Sequence, residues 1–323
     1  MDLEEKVQDT AGGLSDTAAG RSDPVAGRPE AAAAQGRCGD SADGFRALAT
    51  LSLEKVFFLA RNAWRQMEEM LAAAPGLVDL TLRDIVFHVA GDGGGLPGRW
   101  VIGGQSLRRV ELCLEIAGAG FWGIGSVPKL ECAHVVLNDS PEHRDYFKLF
   151  AALSGVKELN VGNFNGRTYQ APLLTGSLSP TFLNLTILKL DTNFYTLEAY
   201  IATWSLLQEV PLLQILQIRD CFRDGEANVD LVAGCMHTTL RSCFDLFKNL
   251  EYLRMVGISC SINDIYFIKH VVHEATNLKE VSVDMFEGSR KTAQVVSREL
   301  KDCQRASAGS RITIKRGDSV CDV

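Results

Sequence analysis

No CxxC pair occurs in this chain although it holds nine cysteines, so neither the thiol spacing of a zinc ribbon nor that of a dithiol redox centre is present. No GxxxxGK[ST] or GxSxG segment occurs either, which removes the usual triphosphate cradle and the exposed serine nucleophile. No run of about 20 apolar residues is available to cross a bilayer. The opening Met1-Asp2-Leu3-Glu4-Glu5 lacks the basic stretch and apolar core of a secretory leader. A cytoplasmic or nuclear protein with reduced thiols is the expectation, and the sequons at Asn138 and Asn184 then carry no weight. A basic surplus is also lacking: 33 Lys and Arg stand against 40 Asp and Glu, a net charge of -7, whereas phosphate neutralisation needs an excess of Lys and Arg. Neither a nucleic acid nor a membrane is expected as a partner.

Before Phe45 there is no Phe, Trp, Tyr or Ile. The large apolar residues there are Leu3, Val7, Leu14 and Val25, too few to offset chain entropy. Nine acidic residues stand against four basic ones, a net of about -5 that holds most of the chain's acidity. Residues 1–45 are expected to be a disordered, acidic, Ala/Gly-rich tail. Residues 46–317 are expected to form the folded domain, with 318–323 as a short closing tail.

What the chain has in abundance is one spacing. The pattern LxxLxL, with Leu, Val, Ile or Met in the apolar slots, starts at Leu48, Leu77, Leu107, Leu130, Val156, Leu185, Leu213, Leu250 and Leu278. The steps are 29, 30, 23, 26, 29, 28, 37 and 28 residues, in or near the range of leucine-rich repeats. Within each unit the alternation has strand period, and the segment that follows switches to helix period. Helices are expected near Arg61 to Ala74, Thr196 to Glu209, Asn263 to Ala275 and Ser289 to Gln304, with a last short strand at Ile312 to Ile314. The stretches around Gly91 to Gly98 and after Leu112 are Gly-rich and read as surface insertions. The fold expected is α/β, a leucine-rich-repeat solenoid with a curved parallel sheet and helices on the convex side.

Three spots suggest chemistry and fail on context. Gly118-Ala-Gly120-Phe-Trp-Gly123 fits GxGxxG, yet Gly125 and Pro128 follow where a dinucleotide-binding helix must open. His270, His273 and Glu274 have helical spacing but no further ligand nearby, and read as helix-surface residues. Cys235-Met-His237 is a bare neighbour pair without a spatial triad. A late basic cluster, Arg290, Lys291, Arg298, Lys301, Arg305, Arg311, Lys315 and Arg316, reads as a solvated helix face. No cofactor, no metal and no catalysis are expected. The candidate binding residues are those between or just after each apolar pair on the inner strand face: Arg83, Glu111, Asn160, Lys189, Asp191, Gln217, Arg219 and Arg254. They mix both charge signs with amides, as a polar protein-binding surface does.

The closing segment adds a resemblance. Phe247-Lys-Asn-Leu250-Glu-Tyr-Leu253-Arg-Met-Val-Gly257-Ile-Ser, followed by Asn263-Asp-Ile-Tyr-Phe267-Ile-Lys-His-Val-Val-His-Glu-Ala275-Thr-Asn-Leu278, resembles the repeat region of plant F-box proteins of the FBD class. The likeness runs from about Phe45 to Gly317, with the FBD-like ending at about 247–317. It implies a non-catalytic scaffold that recognises a protein partner on its concave sheet, as the substrate-binding half of a ubiquitin-ligase receptor. Members normally open with an F-box, a helical module with a Leu-Pro start that docks a Skp-type adaptor. The residues before Phe45 carry nothing of that kind, so adaptor docking does not transfer. The alternatives are a small-molecule-sensing repeat domain, or a ligase substrate receptor whose F-box is missing from this chain.

Overall fold

Two residues after the lead apolar position of each LxxLxL unit, a strand begins. The computed structural model describes residues 45–58, 63–88, 100–117, 122–137, 146–164, 181–192, 194–220 and 246–323. The nine strands in question are β1 (Thr50–Glu54), β3 (Asp79–His88), β5 (Arg109–Ala117), β7 (Cys132–Val136), β8 (Glu158–Gly162), β9 (Ile187–Asp191), β10 (Ile215–Arg219), β11 (Tyr252–Ile258) and β12 (Glu280–Met285). They pair in chain order, all in parallel, and the register keeps the repeat frame. Thr50, Asp79, Arg109, Cys132, Glu158, Ile187, Ile215, Tyr252 and Glu280 lie side by side.

A shared acceptor sets that register. Ala49 O accepts from Val78 N at 2.8 Å and from Asp79 N at 3.1 Å, so one carbonyl ahead of β1 ties down two successive amides of the next unit. The same arrangement recurs at the carbonyls of Val78, Arg108, Glu131, Lys157, Thr186, Gln214 and Glu251. A slip of one residue would lose these bonds and turn every apolar side chain to the wrong face.

β13 (Arg311–Arg316) adds a further parallel strand beside β12, and β14 (Ser319–Asp322) pairs antiparallel with β13. Residues 318–323, expected as a tail, therefore close the sheet as a strand. With β2 (Phe57–Phe58) beside the far end of β3, the sheet has 12 strands among the described residues. By contact the chain divides into two units, Met1–Asp40 and Ser41–Val323. The tail expected over 1–45 lies outside the described residues except for Phe45.

Each strand alternates in burial. Leu80, Leu82, Leu112, Val135, Leu159, Val161, Leu188, Leu216, Leu253 and Val283 point into one core, as strand period requires. Covering that core are α1 (Ala63–Ala72), α2 (Tyr146–Ala152), α3 (Leu197–Gln208), α4 (Ile262–Glu274) and α5 (Ala293–Lys301), with a small parallel pair, β4 (Trp100–Ile102) and β6 (Trp122–Ile124). α1 packs on β4 and α2 on β6. Gly123 of the GxGxxG match sits inside β6 beside Val101, so a strand and not a phosphate-binding helix follows; Gly118 to Phe121 lie outside the described residues.

Local chemistry starts the helices. Thr196 accepts from Ala199 N at 3.2 Å, Thr292 from Val295 N at 3.3 Å, and Ser261 forms a capping box with Asp264, filling donors that the first turn leaves open. α3 is apolar nearly all round and buried. Its Trp204 meets Phe247, Phe267 and His270 at ring distances of 5.7, 5.2 and 5.0 Å. His270, expected on the helix surface, is half-buried with its ring edge-on to Trp204. Of the late basic cluster, Arg290, Arg298, Lys301, Arg311 and Lys315 are exposed, as a solvated face requires, while two members are tied to the backbone. Arg305 donates to Ser310 O and Val323 O, and Arg316 to the carbonyls of Glu287, Ser289 and Lys291.

Seven residues after Leu48, Leu77, Val156 and Leu250 the backbone turns left-handed, at Lys55 (φ 55°), Asp84 (φ 53°), Asn163 (φ 55°) and Gly257 (φ 71°). At Asp84 and Gly257 this residue drops out of the ladder and shifts the register by one, as in a bulge. At Gly257 the space is also tight, since a Cβ there would meet Asp220 O at 3.1 Å. Gly257→Ala is expected to destabilise the protein by about 1–2 kcal/mol, measurable as a lower urea midpoint at unchanged m-value.

Candidate functional site

Five-residue strands that bury their second and fourth side chains must offer the first, third and fifth to the other face. The result is an open polar face in three rows. The middle row runs Ser52, Thr81, Glu111, His134, Asn160, Lys189, Gln217, Arg254, Ser282 and Thr313. Five of the eight residues singled out in the sequence fall on it: Glu111, Asn160, Lys189, Gln217 and Arg254. Arg83, Asp191 and Arg219 follow the second apolar residue, one row on. All eight therefore share one surface, spread over six strands.

They do not stand as loose charges. Arg83 bridges Glu54 at 3.0 Å and Glu111 at 2.7 Å, and its guanidinium pKa is raised, first by donating to Glu111. Lys189 pairs with Glu158 at 2.6 Å, Arg219 with Asp191 through both oxygens at 2.8 and 2.6 Å, and Arg254 with Asp284 at 3.3 Å. Most of these groups are substantially solvated, where such pairs contribute little to stability. Their effect is to fix where each sign of charge is presented.

Sequence reasoning missed the first row, because the strand begins one residue ahead of the apolar pair. Asp79 and Arg109 pair there at 2.7 Å, and Glu280 with Arg311 at 3.1 Å. It also missed His134, whose Nδ1 lies 3.3 Å from Glu111 Oε1; the flanking Ala133 hid the apolar slot. The position just before the pair, read through every unit, would have found the first row.

Between β3 and β8 the face dips into an open depression of about 430 Å³. Leu80, Val110 and Ala133 line it with the polar side chains of Asp79, Arg109, Glu111, His134, Glu158 and Asn160. Cys132 also borders it, but its thiol pKa is raised by burial and by the nearby Glu158 and Glu131, so it stays protonated near neutrality and is a poor nucleophile. Among the described residues no group of three or more His, Cys, Asp or Glu side chains is arranged to hold a metal. Chemically the face can make directional, two-signed polar contacts. His273 Nε2 lies 3.8 Å from Glu274 on α4, away from this face, and Cys235 and His237 lie outside the described residues.

A second polar cluster sits at the exit of β11. Asp264 is fully buried in the α4 capping box, where it accepts from Ser261 N at 2.7 Å and from Ser259 Oγ at 3.4 Å. Burial, with a smaller contribution from Asp220, pushes its carboxyl up to about 6 despite these hydrogen bonds. Tyr195 is hydrogen-bonded to Asp220 and Ser259 and is raised as well, chiefly by burial.

Comparison with protein-family models, with curated proteins and with solved structures gives no match for this chain.

Two outcomes are expected. Asn160 Oδ1 is enclosed and carries no hydrogen bond, so Asn160→Val is expected to leave stability unchanged or raise it by up to about 1 kcal/mol, read by denaturant unfolding. Asp264 holds its proton more tightly folded than unfolded, so its ionisation opposes folding. Relative to Asp264→Asn, the native chain is expected to gain up to about 1.4 kcal/mol per pH unit as pH falls from about 6 toward the ordinary carboxylate range; parallel melts of both proteins check this.

Proposed function

We propose that the chain is a leucine-rich-repeat solenoid whose open sheet face recognises a protein partner, with no chemistry of its own. This is the role implied by its resemblance to the repeat region of plant FBD-class F-box proteins. The observation that carries it is the in-register polar face with charges of both signs held in fixed positions. Ten parallel strands from β1 to β13 span nine inter-strand steps, about 43 Å at roughly 4.8 Å each. That extent accommodates the roughly 800 Å² per partner of an ordinary complex. A nucleic acid would meet a carboxylate beside nearly every cation, whereas a peptide or protein surface can match alternating signs.

The second reading is a small-molecule sensor, favoured by the depression between β3 and β8, whose volume is within the usual range of ligand pockets. Its largely charged lining suits a polar ligand. In a ligase the chain would act as substrate adaptor or decoy, the ubiquitin chemistry belonging to other subunits.

Affinity capture from native extract with the full chain tests the proposal. The expected result is a specific protein whose recovery falls at least tenfold when Lys189, Arg219 and Arg254 are all changed to Glu, with a melt close to that of the parent. Recovery of a Skp-type adaptor alone, unaffected by these changes, would contradict it and place the working surface elsewhere.

A further inference from the structure

The two edges of the sheet are finished differently. At one, β14 lies antiparallel on β13, α5 packs on both strands, and Arg305 holds the Val323 carbonyl. At the other, β1 has no strand on its outer side among the described residues. Ala49 O accepts from Asp79 N, and Lys55 N donates to Arg83 O at 2.9 Å. In a parallel ladder this turns the amides and carbonyls of Leu51 and Leu53 inward and those of Thr50, Ser52 and Glu54 outward. The core thins here too. Leu48, Leu51, Leu53, Val56, Trp64 and Met70 are only partly covered, whereas Leu80, Leu82 and Leu112 one and two strands further in are fully buried. Phe57 is 69% exposed. β1 contains no Pro, no Lys and no bulge, the usual devices that keep an edge from pairing.

What covers this edge must bring an apolar, strand-forming face. Residues 1–44, without Phe, Trp, Tyr or Ile, offer none. The geometry points to a second copy of this chain, β1 pairing antiparallel with β1 about a two-fold axis at Ser52. The sequence Thr50-Leu-Ser-Leu-Glu54 complements itself in that register. Ser52 faces its own copy and Thr50 faces the partner's Glu54, so every outward amide and carbonyl of the three residues is answered across the axis. Leu51 meets the partner's Leu53 on the core side, in the close pairing that brings side chains into contact. No like charges come opposite each other, and the two half-covered cores join into one isologous interface. The open polar faces stay free in this dimer, so it is compatible with any partner they bind.

Sedimentation of the full chain over a range of concentrations tests it, with Ser52→Pro as the variant. The Ser52 amide points away from β3, so proline removes only the outward donor. A dimer of the 35.3 kDa chain is expected, with Ser52→Pro monomeric and its melt still cooperative but no longer dependent on concentration. A chain that is monomeric at about 100 µM, where a pairing of even 10 µM Kd is mostly dimer, would overturn the inference. So would a dimer that Ser52→Pro leaves intact. Should that variant fail to fold, Ser52→Cys decides. Mild oxidation is expected to give a covalent dimer in excess of the unsubstituted chain and of Thr81→Cys, and no excess overturns the pairing.

Discussion

One carbonyl per unit, accepting two successive amides of the next, is the constraint on which the rest of this structure depends. It repeats from Ala49 to Glu251 and forces each strand to start in line with its neighbour. Unit length varies between the shared acceptors from 23 to 37 residues, yet the strands never lose their frame. On the other side, a helix or a short strand fills the layer wherever the crossover is among the described residues. Loop closure costs little per added residue, so the crossovers are free to vary while the acceptor and the apolar pair are not.

From that frame follows the placement of charge. Side chains at equivalent positions of successive units must become neighbours about 4.8 Å apart, so a cation at one unit meets whatever the next unit carries. Arg83 between Glu54 and Glu111, and Arg219 against Asp191, are products of the register. A charge presented in a fixed place favours selectivity over raw affinity. On the other side of the sheet, aromatic side chains gather on the apolar α3: Phe247 and Phe267 pack against its Trp204, and Phe194 packs against its Tyr200 and against Phe267.

Much of this was legible in the sequence. The lead residues from Leu77 to Leu278 are all buried, and every strand starts two positions after its lead. The helices at Leu197 and Ile262 begin where Thr196 and Ser261 stand as caps. The misses have physical causes. β14 was invisible because Ser319-Val-Cys-Asp322 carries little apolar signal, its order depending on pairing with β13 and on the Arg305 clamp. The small β4–β6 pair was hidden by glycines that read as loop. Ion pairing across strands could not be seen either, because it depends on a register that single units do not reveal. The candidate residues fall on one side of the sheet, and the charged ones among them stand in cross-strand ion pairs that single units do not show.

The claim that most needs a direct answer is that the open strand face, and not the helical layer, meets the partner. A photo-reactive amino acid placed at Gln217 in the middle row, and in a separate protein at Tyr266, which is 46% exposed on α4, would report contact from each side in native extract. A covalent adduct to one discrete protein from Gln217 but not from Tyr266 is the result this account predicts. An adduct from Tyr266 with none from Gln217 would contradict it and move the working surface to the helices.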